Sequence, residues 1–195
     1  MSDAKKVHVT SLYFGGGTPA LIVDDIHRIV ARLQEYFVIT EGIGLELHPQ
    51  DVNVETLTKL KQAGITKISI GIQSFQKRFL DLLGRKQNDF SPMFEALSKV
   101  PFETVSMDFI FALPNQTIDL LKEDIETAFS NGANHVAVYP FIDFNFTDRN
   151  FPKMEEKEKK ALLYQLVRYC EGKGYIRDSV WTFSKYGTSK YSSMT

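Results

Sequence analysis

Val9-Thr10-Ser11-Leu12-Tyr13-Phe14-Gly15-Gly16-Gly17-Thr18-Pro19 is a β-branched and aromatic run that ends in three consecutive glycines and a Thr-Pro pair able to open a helix. Downstream, Val23 to Phe37 places Ile26, Ile29, Val30, Leu33 and Phe37 at three- and four-residue spacing, the pattern of an amphipathic helix. The strand, turn and helix then recur. Further strands are predicted at Gly44 to Leu47, Lys67 to Ile70, Thr104 to Ile110, His135 to Tyr139 and Arg177 to Phe183. Helices are predicted at Val54 to Ala63, Phe75 to Leu83, Ser91 to Leu97, Ile118 to Phe129 and Glu155 to Glu171, with Phe141 to Lys153 an irregular aromatic loop between the last strand and helix pairs. Alternation of this kind gives an α/β protein with a parallel sheet, either doubly wound or a barrel. A complete eightfold barrel needs about 250 residues, so the 195 residues of this chain suit a partial barrel with outer helices. No Gly-, Ser- or Pro-rich linker interrupts it, and residues 1–195 are expected to form a single domain.

Composition narrows the function classes. With 43% hydrophobic and 24% charged residues the chain is neither disordered nor fibrous. Its 23 Lys+Arg against 24 Asp+Glu give a net charge of -1, and no basic block suggests a nucleic-acid footprint or a membrane anchor. No apolar run approaches the roughly 18 residues of a membrane span, so a cytoplasmic location is expected. Cys170 is the single cysteine, which excludes an internal disulfide and any metal cluster held only by this chain's thiolates.

In a parallel α/β sheet, ligands bind at the carboxyl ends of the strands, and the polar residues there form a set. Gly15, Gly16 and Gly17 let a ligand approach bare backbone, although a triple glycine by itself fits a plain turn equally well. Glu46, in Leu45-Glu46-Leu47-His48-Pro49, is an acid in an otherwise apolar strand; it calls for a cation or a ligand donor, or for a structural ion pair. His48 reads as a loop histidine without a chemical role. Ser69-Ile70-Gly71-Ile72-Gln73-Ser74-Phe75 brings an amide to the third strand end, Ser106-Met107-Asp108 brings a second acid to the fourth, and Arg85 follows a helix back to the same rim. Two acids, an amide and a guanidinium suit a zwitterionic, hydroxyl-bearing ligand; alternatively, the acids and Arg85 satisfy one another. No glycine-rich loop precedes the Lys-Ser/Thr of a phosphate clamp.

Taken in order, Tyr13 to Pro19, Glu46 ahead of a proline, Ser69 to Phe75, Leu83-Gly84-Arg85, Asp108 to Thr117 and His135 to Tyr139 resemble the radical S-adenosylmethionine (SAM) proteins of the oxygen-independent coproporphyrinogen III oxidase family. The resemblance implies a radical SAM core, a partial TIM-like barrel, with S-adenosylmethionine across the strand ends. Gly15, Gly16, Gly17, Thr18 and Pro19 would hold the methionyl amino group, Arg85 the carboxylate, and Gln73 and Asp108 the ribose hydroxyls. The backbone at Ile142 would meet adenine, and Glu46 would face the cofactor or a second bound molecule. It further implies a 4Fe-4S cluster fed by an electron-donor protein, reductive cleavage of the cofactor to a 5'-deoxyadenosyl radical, and a porphyrin or haem substrate that is oxidatively decarboxylated or methylated. Related haem chaperones offer an alternative in which haem is bound without catalysis. The family's Cys-x3-Cys-x2-Cys belongs on the loop after a strand that would precede Val9, and this chain lacks it. The chain therefore reads as a fragment missing the first barrel strand, with Val9 to Phe14 left as an exposed sheet edge. Ala112 stands where relatives carry glycine and Gln87 where many carry histidine, and Val180 to Lys185 with Lys190 to Thr195 resembles haem-degrading methyltransferases.

Overall fold

In the computed structural model, which describes residues 6–86, 89–142 and 153–185, the predicted alternation becomes nine strands and six α-helices. The strands are β1 (Val7–Val9), β2 (Leu12–Phe14), β3 (Phe37–Ile39), β4 (Ile43–Leu47), β5 (Lys67–Gln73), β6 (Thr104–Phe111), β7 (His135–Pro140), β8 (Ile176–Arg177) and β9 (Thr182–Ser184). The helices are α1 (Val23–Gln34), α2 (Val54–Gln62), α3 (Lys77–Leu82), α4 (Ser91–Lys99), α5 (Ile118–Ser130) and α6 (Glu156–Gly172). Seven strands form one sheet in the order β2-β4-β5-β6-β7-β9-β8, parallel from β2 to β7 and antiparallel at β9 and β8. This is a largely parallel, incomplete barrel with outer helices, as expected.

Two elements differ from the sequence reading. The run Val9 to Phe14 is broken into β1 and β2, and what was read as the end of the first helix, Phe37, begins β3, which pairs with β1. Register explains the break. Val9 faces Ile39 and Leu12 faces Ile43, so two residues on one strand oppose three on the other. This is a one-residue bulge, and Gly42 absorbs it at φ +105°. A Cβ there would sit 2.4 Å from Thr66 Oγ1, so only glycine fits. The predicted strand Arg177 to Phe183 is likewise two short strands, β8 and β9, paired with each other. The predicted loop residues 143–152, together with Gln87 and Lys190 to Thr195, lie outside the described residues.

The two faces of the sheet carry different chemistry because side chains alternate along a strand. Leu45, Ile68, Ile70, Val105, Met107, Phe109, Val136, Val138 and Phe183 turn outward and are buried under Ile26 and Val30 of α1, Leu57 and Leu60 of α2, and Leu121, Ile125 and Leu166 of α5 and α6. Each such side chain contributes roughly 2 kcal/mol by leaving water. The opposite face is polar and small-residued. Register places Glu46 beside Ser69, Ser69 beside Ser106, Ser106 beside His135 and His135 beside Ser184, a single polar row across five strands. Helix ends point the connections back to the strand ends. Asn53 Oδ1 caps α2 by accepting from Thr56 N at 2.9 Å. After α3, Gly84 at φ +72° closes the turn with Gly84 N to Asp81 O at 3.1 Å and Arg85 N to Leu80 O at 2.8 Å. That turn delivers Arg85 to the rim.

Candidate functional site

A cavity of about 410 Å3 opens at the carboxyl ends of β4 to β7 on the polar face, within the roughly 300–1,000 Å3 usual for small-molecule sites. Its wall joins Gly17, Thr18 and Pro19 after β2, Glu46 of β4, Gln73 of β5, Arg85 after α3 and Asp108 of β6. All four polar side chains singled out in the sequence thus meet in one place. A wider opening of about 490 Å3 between the turn at Pro114 to Ile118 and α6 offers Lys153 and Glu158 among mostly neutral side chains and gathers no comparable set.

The glycyl turn is held by the first acid. Gly16 N donates to Glu46 Oε2 at 3.1 Å and Tyr13 OH donates to Oε1 at 3.2 Å. A Cβ on Gly15 would stand 3.0 Å from the Tyr13 ring and 3.4 Å from Glu46 Cδ, while Gly16 and Gly17 adopt φ +72° and +56° with open space beside them. Glycine is required here for approach at one position and for left-handed backbone at the next two. Glu46 itself is exposed. Although the acid stands in an otherwise apolar strand, the strand does not enclose it: its face of the sheet looks into the cavity rather than onto a helix.

Asp108 is the more enclosed acid. Ser69 Oγ donates to Oδ2 at 2.5 Å and Ser106 Oγ to Oδ1 at 3.0 Å. Burial pushes its carboxyl up to about 6 and the nearby Glu46 charge adds to the rise, whereas both serine hydroxyls favour the charged form. Between Gly71 and Gln73 the β5–β6 register slips by one residue, and Gln73 ends the strand at φ +71°. Gln73 Nε2 lies 3.0 Å from where a Gly71 Cβ would be, so the amide folds over a bare glycine next to Asp108, the cross-strand partner of Gly71.

The cavity wall also contains His48, Ser69, Gly71 and Tyr139, which the sequence reading did not assign. Ser69 and Gly71 alternate with the buried isoleucines of β5, and that period of two was the available signal. Tyr139 lies near the end of β7, next to β6, whose Asp108 had already been singled out. Its hydroxyl is pushed up by burial and by the Asp108 and Glu46 charges. His48 is pushed down, first by burial and then by the Arg85 charge, with Asp51 opposing. Ile142 follows β7 at the same end of the sheet but is exposed and lies outside the cavity wall.

The set fits an adenosyl amino acid. Acidic oxygens and an amide can take ribose hydroxyls, a guanidinium can take a carboxylate in bidentate fashion, and glycyl carbonyls can take an ammonium. A 4Fe-4S cluster does not fit this chain's own donors. Cys170 is its one cysteine, fully buried on α6, with a thiol that burial pushes up to about 12. Among the described residues no group of three His, Cys, Asp or Glu is placed to hold a metal ion. Among them, too, no helix is long and apolar enough to cross a membrane.

Comparison with known proteins identifies the family of the fold. The Radical SAM superfamily profile matches residues 2–128. The protein named heme chaperone HemW of Bacillus subtilis (strain 168) is 30% identical over 95% of this chain and 52% of its own length. The oxygen-independent coproporphyrinogen III oxidase of Escherichia coli (strain K12) is 30% identical over 86% of this chain and 39% of its own. The solved structure of that organism's coproporphyrinogen III oxidase, HemN, described as a radical SAM enzyme, superposes with a TM-score of 0.78 at 23% identity, over 93% of this chain and 44% of that one. This chain spans about half the length of the first of these relatives. With the profile covering well over half of the sequence and the barrel matching in order, the chain belongs to the radical SAM superfamily.

Proposed function

We propose that this chain is the S-adenosylmethionine-binding core of a protein that acts on haem or a porphyrin. The observation that carries the reading is the convergence of Gln73, Arg85 and Asp108 with the glycyl turn in one cavity. Arg85 takes the methionyl carboxylate, the carbonyls of the turn from Gly15 to Pro19 take the ammonium, and Glu46 fixes that turn through Gly16 N. Gln73 and Asp108 take the ribose hydroxyls, and the backbone near Ile142 lies beside the adenine. Bound there, S-adenosylmethionine supplies a sulfonium-activated adenosyl group, and the chain's residues orient it and exclude water. Asp108 has to be ionised to accept two hydroxyls. Ligand donors then do what Ser69 and Ser106 already do, favouring the charged carboxylate against burial.

The chemistry proposed on the porphyrin or haem is either oxidative decarboxylation, after the coproporphyrinogen III oxidase relative, or radical methyl transfer, after the resemblance of Val180 to Lys185 to haem-degrading methyltransferases, with electrons from a donor protein in the cytoplasm. The names of the first relatives favour a second reading, a haem chaperone that binds haem without catalysis. Isothermal titration of S-adenosylmethionine into the chain tests the cavity. Binding should be weakened at least about tenfold by Asp108→Ala or Gln73→Ala, as expected when a buried polar partner is lost. Unchanged affinity in both variants rejects the ribose assignment. Stoichiometric haem uptake, followed by a Soret band and without cofactor cleavage, would select the chaperone.

A further inference from the structure

Gln73 is a non-glycine residue in left-handed backbone, at φ +71°. Such a conformation is strained for a residue with a side chain and persists only where its surroundings impose it. The segment that follows Gln73 is bound by a residue 50 positions beyond Ser74. Asp124, on α5 and 1% exposed, turns both carboxylate oxygens to the segment that follows Gln73. Ser74 Oγ donates to Oδ2 at 2.7 Å and Phe75 N donates to Oδ1 at 2.9 Å. Ser74 Oγ in turn accepts from Gln76 N at 3.0 Å, at the point where α3 begins. The Phe75 ring is meanwhile wedged against Phe90, Phe109 and Phe94 at centroid distances of 4.9, 5.6 and 5.7 Å.

A carboxylate at such a depth is expensive, and an apolar side chain would join the packing of α5 at least as well. Burial pushes Asp124 up to about 6, with Glu123 adding to the rise, while the Ser74, Phe75 and Gln76 donors hold it down. Its two hydrogen bonds do one thing an apolar residue could not: they pin the backbone immediately after Gln73, and so the direction in which its amide leaves the strand.

We propose that Asp124 is a positioning residue that, through Ser74 and Phe75 N, sets the left-handed turn at Gln73 and holds its amide in the ligand cavity. The ligand arm of the test rests on the S-adenosylmethionine reading above. Asp124→Ala should weaken S-adenosylmethionine binding about tenfold, the scale of a buried donor left unpaired. Asp124→Asn, which keeps an acceptor for Phe75 N and a partner for Ser74 Oγ, should restore binding to within about threefold. In a Gln73→Ala background the same Asp124→Ala change should cost less than about twofold, because the route to the ligand is already cut. An additive loss in the double variant overturns the proposal. Should Asp124→Ala not fold, Ser74→Ala removes one bond of the clamp and is expected to show a smaller loss with the same coupling to Gln73. If the parent chain binds no S-adenosylmethionine, the cofactor reading fails, and the clamp is judged without ligand. The Gln73 side-chain amide resonances should shift, and the Phe75 and Gln76 amides exchange faster, in Asp124→Ala but not in Asp124→Asn. Gln73 resonances that stay in place in both variants overturn it.

Discussion

Asp108 sets stability against ligand binding at a single atom group. Its carboxyl titrates near 6 in the fold instead of at 3.8, so folding favours the protonated form. The stability this group contributes is complete below about pH 4, declines as the pH rises through 6, and is lost above it. That loss amounts to at most roughly 3 kcal/mol by linkage. Asp108→Asn should therefore be more stable than the parent at pH 8, by about 1–3 kcal/mol, with the advantage vanishing toward pH 4, while its affinity for S-adenosylmethionine falls. Urea denaturation at the two pH values measures this; equal stabilities at both would show that burial does not disfavour the charge. The sequence made Asp108 conspicuous as an acid between Met107 and Phe109, but not how far its titration would move. That depends first on burial by the folded sheet and then on groups such as Ser69 and Glu46, 39 and 62 residues away. Glu46 illustrates the converse, an acid likewise flanked by apolar residues, Leu45 and Leu47, that the fold leaves exposed.

Among the elements, the β5–β6 pair supplies Ser69, Gly71, Gln73 and Asp108 to the cavity wall. Gly71 is placed so that the Gln73 amide can fold over it, and a Cβ would meet Nε2 at 3.0 Å. Gly71→Ala should thus displace the amide and weaken ligand binding several-fold while changing the melting temperature little, because alanine in a strand costs less conformational entropy than glycine. Unaltered affinity would remove Gln73 from the ligand. Ala112 makes a related point. It follows β6 in left-handed backbone at φ +65°, a conformation natural to the glycine expected there by resemblance. Helix positions were readable from apolar spacing. The split of the first strand, the addition of β3 and the antiparallel β9 were not, since each depends on which distant segment supplies the pairing partner.

Across the whole molecule the sheet is asymmetric. Among the described residues β2 is the terminal strand on one side, and β1 is paired only with β3. Val7 of β1 is 58% exposed. Unpaired strand edges recruit other chains, so the protein should self-associate with rising concentration, and Val7→Lys should reduce this by placing charge on the edge. Sedimentation velocity decides: a parent that stays monomeric throughout would mean that the edge is covered. The amino-acid order on its own determined the α/β class and the succession of strand-end residues, because periods of 2 and 3.6 are local and parallel strands bring their carboxyl ends to one rim wherever they pair. Only the tertiary structure decided which sheet face is polar, which acid is enclosed, and that Asp124 reaches the turn after Gln73. Burial and hydrogen-bond partnership are properties of residues far apart in the chain, and they exist only once the sheet has curled and its helices have closed over one side.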